Sequence, residues 1–182
     1  MLDAAGELFR TRGYHATGLN QIVEAGKAPK GSLYFHFPGG KEQLAAEAMR
    51  EAAARVQERL TEAVADAPDA ETAIGAVVDA LAAELVATDF RAGCPLATVA
   101  LDAAAQSETI AVACRAGYAS WRAAVAALLA RGGVPAERAA ELATVVLAAI
   151  EGALLLARTD RDDAPLRTVR DHLTALVTRE IT

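Results

Sequence analysis

The amino-acid sequence predicts an all-α protein, and three observations carry that expectation. The hydrophobic share is 53% while aromatics supply only 4%, because alanine and leucine dominate, and both are strong helix formers. Apolar residues recur at three- and four-residue intervals through most of the chain. The six prolines all stand between those periodic segments, as helix breakers do. At 182 residues the chain suffices for one large domain or two small ones, each with a buried core.

The elements follow in order. Leu2 to Arg12 is the first helix, with Leu2, Ala5, Leu8 and Phe9 on one face and Gly13 able to take the left-handed conformation that stops it. A second helix runs from about Gly18 to Ala25, with Leu19, Ile22 and Val23 inward and Thr17 placed to cap its free amides. A third begins near Pro29, tolerated in a first turn, and ends before Pro38, with Leu33 and Phe37 inward. After Pro38-Gly39-Gly40 the helices lengthen: Lys41 to Val64, then Glu71 to Thr88 beyond the break at 66–69. A loop at 91–95 precedes Leu96 to Ala105 and Glu108 to Arg131, the latter with Tyr118, Trp121, Val125 and Leu128 on one stripe. Gly132-Gly133 ends it, and Pro135 to Arg158 and Pro165 to Glu180 follow, the last with Leu166, Val169, Leu173 and Leu176 at helical spacing. The change from short to long helices places a domain boundary near residue 45, giving domains 1–45 and 46–182.

The net charge of −6 argues against a general polyanion binder. The charge is uneven, however: residues 1–45 hold five basic and four acidic side chains, a balance of +1, which leaves −7 for the remainder. Cys94 and Cys114 fall in apolar segments and read as reduced core thiols, as an intracellular, cytoplasmic setting favours. The most apolar window, Ala139 to Ala157, raises the question of a membrane span. Glu141, Glu151 and Gly152 interrupt it, so a buried interface helix is expected and no membrane. His15, His36 and His172 lie far apart, no nucleophile sits in a glycine elbow, and no His, Cys, Asp or Glu set has metal-ligand spacing, so neither catalysis nor a cofactor is expected.

The third helix carries the functional signal. A helix entering the major groove must let its backbone come close and present donors to phosphates and base edges. Gly31 adds no side chain to hold the backbone off, Ser32 donates or accepts, and Lys30 reaches guanine acceptors or phosphate. With Leu33 and Phe37 inward, Tyr34, Phe35 and His36 face outward, an exposed run that is costly in water without a partner. Tyr34 and His36 can donate to phosphate oxygens, and Phe35 can meet a thymine methyl. Lys41 opens the next helix, whose amide ends favour an anion. Composition and spacing also suit a three-helix packing module whose lysine and histidine are merely solvated.

Ala4-Ala5, Leu8-Phe9, Gly13-Tyr14 and Lys30-Gly31-Ser32-Leu33-Tyr34-Phe35-His36-Phe37 resemble the helix-turn-helix signature of the TetR family of bacterial repressors. More narrowly, the runs at 17–22 and 28–44 and Gly93-Cys94-Pro95-Leu96-Ala97 resemble its LmrA/YxaF-like subgroup. The resemblance implies a helix-turn-helix domain followed by a ligand-binding and dimerisation domain. It implies base approach by Lys30, Ser32 and Phe35 and phosphate binding by Tyr34, His36 and Lys41; Thr17, Lys27 and Gly31 complete the expected DNA-facing set. Two positions depart from the family pattern: Lys27 stands in the turn where glycine is usual, and Gly18 where threonine is usual. A left-handed Lys27 would cost on the order of 1 kcal/mol unless Gly26 takes the bend; Lys27 is equally readable as a gained phosphate contact. Many relatives carry a basic arm ahead of the first helix; without one, weaker affinity or a trimmed start is expected.

The resemblance further implies a homodimer. Small residues on 135–158 offer a close-packing surface, with Leu147, Ala148, Gly152 and Leu155, paired with Leu166, Val169, Leu173 and Leu176, as the expected interface. A small hydrophobic effector is expected between the middle helices, lined by Leu81, Leu85, Phe90, Cys94, Val99, Tyr118 and Trp121, with Glu151 as polar anchor. The function expected is a ligand-responsive repressor, released from a palindromic operator by that effector; the alternative is a dimeric helical scaffold or ligand-binding protein that has lost DNA binding.

Overall fold

The computed structural model describes residues 1–181, Lys30 by its backbone alone. Among the described residues the regular structure is all helix: α1 (Leu2–Arg12), α2 (Leu19–Ala25), α3 (Lys30–His36), α4 (Gly40–Ala63), α5 (Ala70–Ala87), α6 (Pro95–Ala103), α7 (Glu108–Arg131), α8 (Ala136–Asp160) and α9 (Ala164–Ile181). The chain divides into two compact units, 1–56 with 93–118, and 57–92 with 119–182.

The helix ends follow the local chemistry. Gly13, at φ 84°, stops α1 and donates its N–H to the Phe9 carbonyl at 2.9 Å. The Asp69 carboxylate accepts from the Thr72 N–H at 2.7 Å and caps α5, which holds its carboxyl below the usual aspartate range. The Sγ of Cys94 plays the same part for α6, accepting from the Ala97 N–H at 3.4 Å ahead of Pro95 in the first turn.

In the first unit α1 packs on α2 and α6, and α2 on α3. Its core is built from Ala5 and Phe9 of α1, Ile22 of α2, Leu33 of α3, Leu44 and Met49 of α4, and Leu96, Val99 and Ile110 of α6 and α7, all buried. On α1 and α6 the pairs Ala5 and Phe9, and Leu96 and Val99, stand four and three positions apart, the spacing that turns one helix face inward. Neither thiol is in a disulfide, both are buried, and burial pushes the Cys114 thiol up.

In the second unit α5 packs on α9 and on α8, and α8 packs on α9. Ile74, Val78 and Leu85 of α5 meet a core shared by Leu142, Val146 and Ile150 of α8 and Leu166, Leu173 and Val177 of α9. Arg170–Asp79 at 3.0 Å and Arg138–Glu180 at 2.6 Å tie the helix surfaces, but exposed pairs of this kind add little stability. By length and composition α8 is apolar enough to cross a membrane, yet Ala139, Leu142, Val146, Ile150, Ala153 and Ala157 spend one face of it on the core of this unit.

Candidate nucleic-acid interface

Helix α3 sits where two turns place it. After α2 the chain bends through Gly26 and Lys27, and the bend belongs to Lys27: its φ is 49°, while Gly26 is right-handed at φ −77°. Gly26 is confined in a different way. A Cβ there would lie 3.1 Å from the Ile22 carbonyl oxygen and 3.2 Å from the Met1 Cα, so a side chain would require the backbone around it to shift by a few tenths of an ångström. The Ala28 N–H donates to the Val23 carbonyl at 3.1 Å and closes the turn. Pro29 stands one residue ahead of α3, as its cap, and its carbonyl accepts from the Ser32 N–H at 3.0 Å.

Leu33 and Phe37 point inward, 1% and 6% exposed, and anchor α3. The opposite face is bare: Tyr34 is 66% exposed and Phe35 82%, His36 is exposed beside them, and the Phe35 and His36 rings meet edge to face with centroids 5.1 Å apart. Gly31 is exposed and a Cβ on it would meet nothing within 4 Å. Ser32 is half-buried and Lys27 exposed. The side chain of Lys30, expected to approach bases, lies outside the described residues.

Thr17 corrects two expectations. It is fully buried, and its hydroxyl donates to the Gly13 carbonyl at 2.7 Å with the Leu8 carbonyl 3.3 Å away. It therefore braces the end of α1, and neither caps α2 nor reaches a partner. The cap of α2 is Gly18, whose N–H donates to Gln21 Oε1 at 2.9 Å.

Lys41, in the first turn of α4, is half-buried with Nζ 4.3 Å from the centroid of the Tyr14 ring. Burial lowers its pKa, and the Asp102 carboxylate works against that lowering. Burial, and after it the Glu42 charge, pushes the Tyr14 phenol up. Asp102 of α6 accepts from the His15 N–H at 2.8 Å, in the turn between α1 and α2. Ser107 Oγ, which caps α7 by accepting from the Ile110 N–H at 3.1 Å, donates to the Glu42 carboxylate. Sequence reasoning missed Tyr14, Asp102 and Ser107 as parts of this site. Ser107 had a local signal, a serine ahead of a helical run; Asp102 had none.

The remaining expected residues belong to later elements of the chain. Of the effector set, Leu85, Cys94, Val99 and Trp121 are buried and Leu81, Phe90, Tyr118 and Glu151 half-buried; the Cys94 Sγ and Tyr118 hydroxyl are 3.9 Å apart. Of the interface set, Ala148, Gly152 and Leu155 are exposed and Leu147, Val169 and Leu176 half-buried. Leu166 and Leu173 are corrections: they are 0% and 4% exposed, because they hold α9 within its own unit and leave no surface for a second chain.

A short two-turn helix that buries two apolar anchors and bares aromatic, histidine and glycine positions defines a helix-turn-helix protein. Residues 1–48 match the family described as bacterial regulatory proteins, tetR family, and residues 70–172 match the C-terminal domain of LmrA/YxaF-like transcriptional regulators. The chain is 37% identical over 179 residues to the HTH-type transcriptional regulator LmrA of Bacillus subtilis, covering 98% of this chain and 95% of that one. It is 36% identical over 180 residues to the uncharacterised regulator YxaF of the same organism, covering 99% and 94%. The fold is shared with a solved TetR transcriptional regulator from Legionella pneumophila, at a TM-score of 0.85 and 23% identity over 96% of this chain and 94% of that one. The chain belongs to the TetR family of transcriptional regulators, with a C-terminal domain of LmrA/YxaF type. Its relatives are regulators of transcription rather than enzymes.

Proposed function

We propose that the chain is a homodimeric, effector-responsive repressor that reads a palindromic operator through α3 and is released by a small hydrophobic ligand. The observation that carries the reading is the outward face of α3, where Tyr34 and Phe35 stand in solvent although each exposes a large apolar ring. Such a face lowers its free energy against base edges and sugar-phosphate, with Tyr34, His36 and Lys41 on phosphates and Ser32, Phe35 and Lys30 toward bases. Residues 1–45 form the reading domain and 46–182 the ligand-binding and dimerisation domain.

The proposed dimer surface is the outer side of α8. Ala148, Gly152, Leu155 and Leu156 are exposed there, and Ala148, Gly152 and Leu156 also line an open groove of about 680 Å³ with Val169. A second copy related by a two-fold axis would cover this apolar surface and bring two α3 helices to one face of the duplex. Leu81, Leu85, Phe90, Cys94, Val99, Tyr118, Trp121 and Glu151 stand as the effector set, and a ligand bound there would shift the population of reading-competent dimers. The setting is cytoplasmic.

Selection from a random duplex library by the purified protein tests the reading. An inverted repeat is expected, with half-site centres about 10 base pairs apart or a multiple of that. Recovery of no enriched sequence would leave a helical protein that does not read DNA.

A further inference from the structure

Lys41 occupies an electrostatically awkward place. It is the second residue of α4, a 24-residue helix, where the unpaired amides carry partial positive charge and a cation is disfavoured. Two groups from elsewhere in the first unit offset this. Tyr14 presents its ring face to the ammonium at 4.3 Å. Asp102 accepts the N–H of His15, the neighbour of Tyr14, at 2.8 Å, and its charge acts on the Lys41 ammonium.

We propose that Tyr14 and Asp102 are positioning residues for the Lys41 phosphate contact: the Tyr14 ring seats the ammonium at the mouth of α4, and Asp102 is an internal anion that holds the charge there until a DNA phosphate displaces its influence. Helix end and ammonium together favour an anion, so a phosphate arriving at α4 meets both. Before it arrives, the Asp102 charge steadies a lysine that would otherwise be repelled by its own helix. While Asp102 holds the ammonium, less of that charge is available to a phosphate, so Asp102 limits what Lys41 contributes to sequence-independent affinity. The inference rests on the DNA reading proposed above.

The test uses the full chain and a fluorescent mixed-sequence duplex, with anisotropy followed across a salt series. Asp102→Asn keeps an oxygen for the His15 N–H and removes only the charge. It is expected to tighten duplex binding about three- to tenfold at low salt and to leave a Lys41→Ala background unchanged. Tyr14→Ala is expected to weaken binding about threefold, with no further loss when combined with Lys41→Ala. Equal effects of Asp102→Asn in both backgrounds, or no effect in either, overturn the inference while salt-dependent binding by the wild type still supports the DNA reading. A wild type that binds no duplex at low salt overturns both. Should Asp102→Asn fail to fold by circular dichroism, additive losses in the Tyr14→Ala and Lys41→Ala cycle overturn the proposal instead.

Discussion

Glycine does opposite things in the interior of the bundle and on its bare faces. Inside the first unit Gly117 is buried, and a Cβ there would sit 2.6 Å from the Leu96 Cδ1 and 3.0 Å from the Ala53 Cβ; in the second unit Gly132 would bring one within 2.6 Å of the Ala70 Cβ. These glycines answer to the protein's own packing. Gly31 of α3 and Gly152 of α8 are exposed, lie within helices where glycine is a poor choice, and would meet nothing within 4 Å. Packing within the chain gives no reason for either; the proposed function supplies one for each, the close approach of a duplex at Gly31 and of a second copy at Gly152.

The largest test of this contrast is Gly152→Glu, which would set two like charges against each other across a two-fold axis at a cost of several kcal/mol to association. Sedimentation is expected to show a folded monomer, and an unchanged oligomeric state would remove Gly152 from any interface. Next comes Gly117→Val, where overpacking against Leu96 and Ala53 is expected to destabilise by about 2–3 kcal/mol, read as a lowered denaturation midpoint. Tyr34→Ala and Phe35→Ala are each expected to weaken binding to a selected duplex by about tenfold, or about 1.4 kcal/mol, while stability stays within about 0.5 kcal/mol of the wild type. A comparable loss of stability would mean that these rings serve the fold. The smallest effect sharpens the comparison most. Gly31→Ala is expected to stabilise the free protein by about 0.5–1 kcal/mol through helix propensity and yet to weaken duplex binding. Improvement in both would show that nothing approaches α3 closely.

Helix ends were readable to within about two residues because their causes are local: Gly13, Pro38, Asp69, Pro95 and Gly132-Gly133 act on their neighbours in the chain. The inward anchors Leu33 and Phe37 and the outward Tyr34, Phe35 and His36 follow from helical periodicity alone. What escaped was decided at a distance. Thr17 looks like a cap until the end of α1 folds over it and takes its hydroxyl. Leu166 and Leu173 lie on one helical stripe with Val169 and Leu176, but periodicity cannot say which neighbour will cover a stripe, and α5 and α8 cover these two. Asp102 lies 87 residues from His15 and Ser107 lies 65 from Glu42, separations at which no spacing rule operates. The turn is legible as a pair of alternatives, and the backbone gives the left-handed bend to Lys27 rather than to Gly26.

The left-handed Lys27 has a dynamic consequence. A non-glycine residue in that region stores on the order of 1 kcal/mol, held only while the surrounding helices stay packed. Opening of the corner releases that energy, so local unfolding in the first unit should begin there. Amide protons of residues 26–29 should exchange with solvent ahead of those in the flanking helices, and Lys27→Gly should slow them. The corner between α2 and α3 is thus expected to open first in this unit, at a frequency that a single side chain sets.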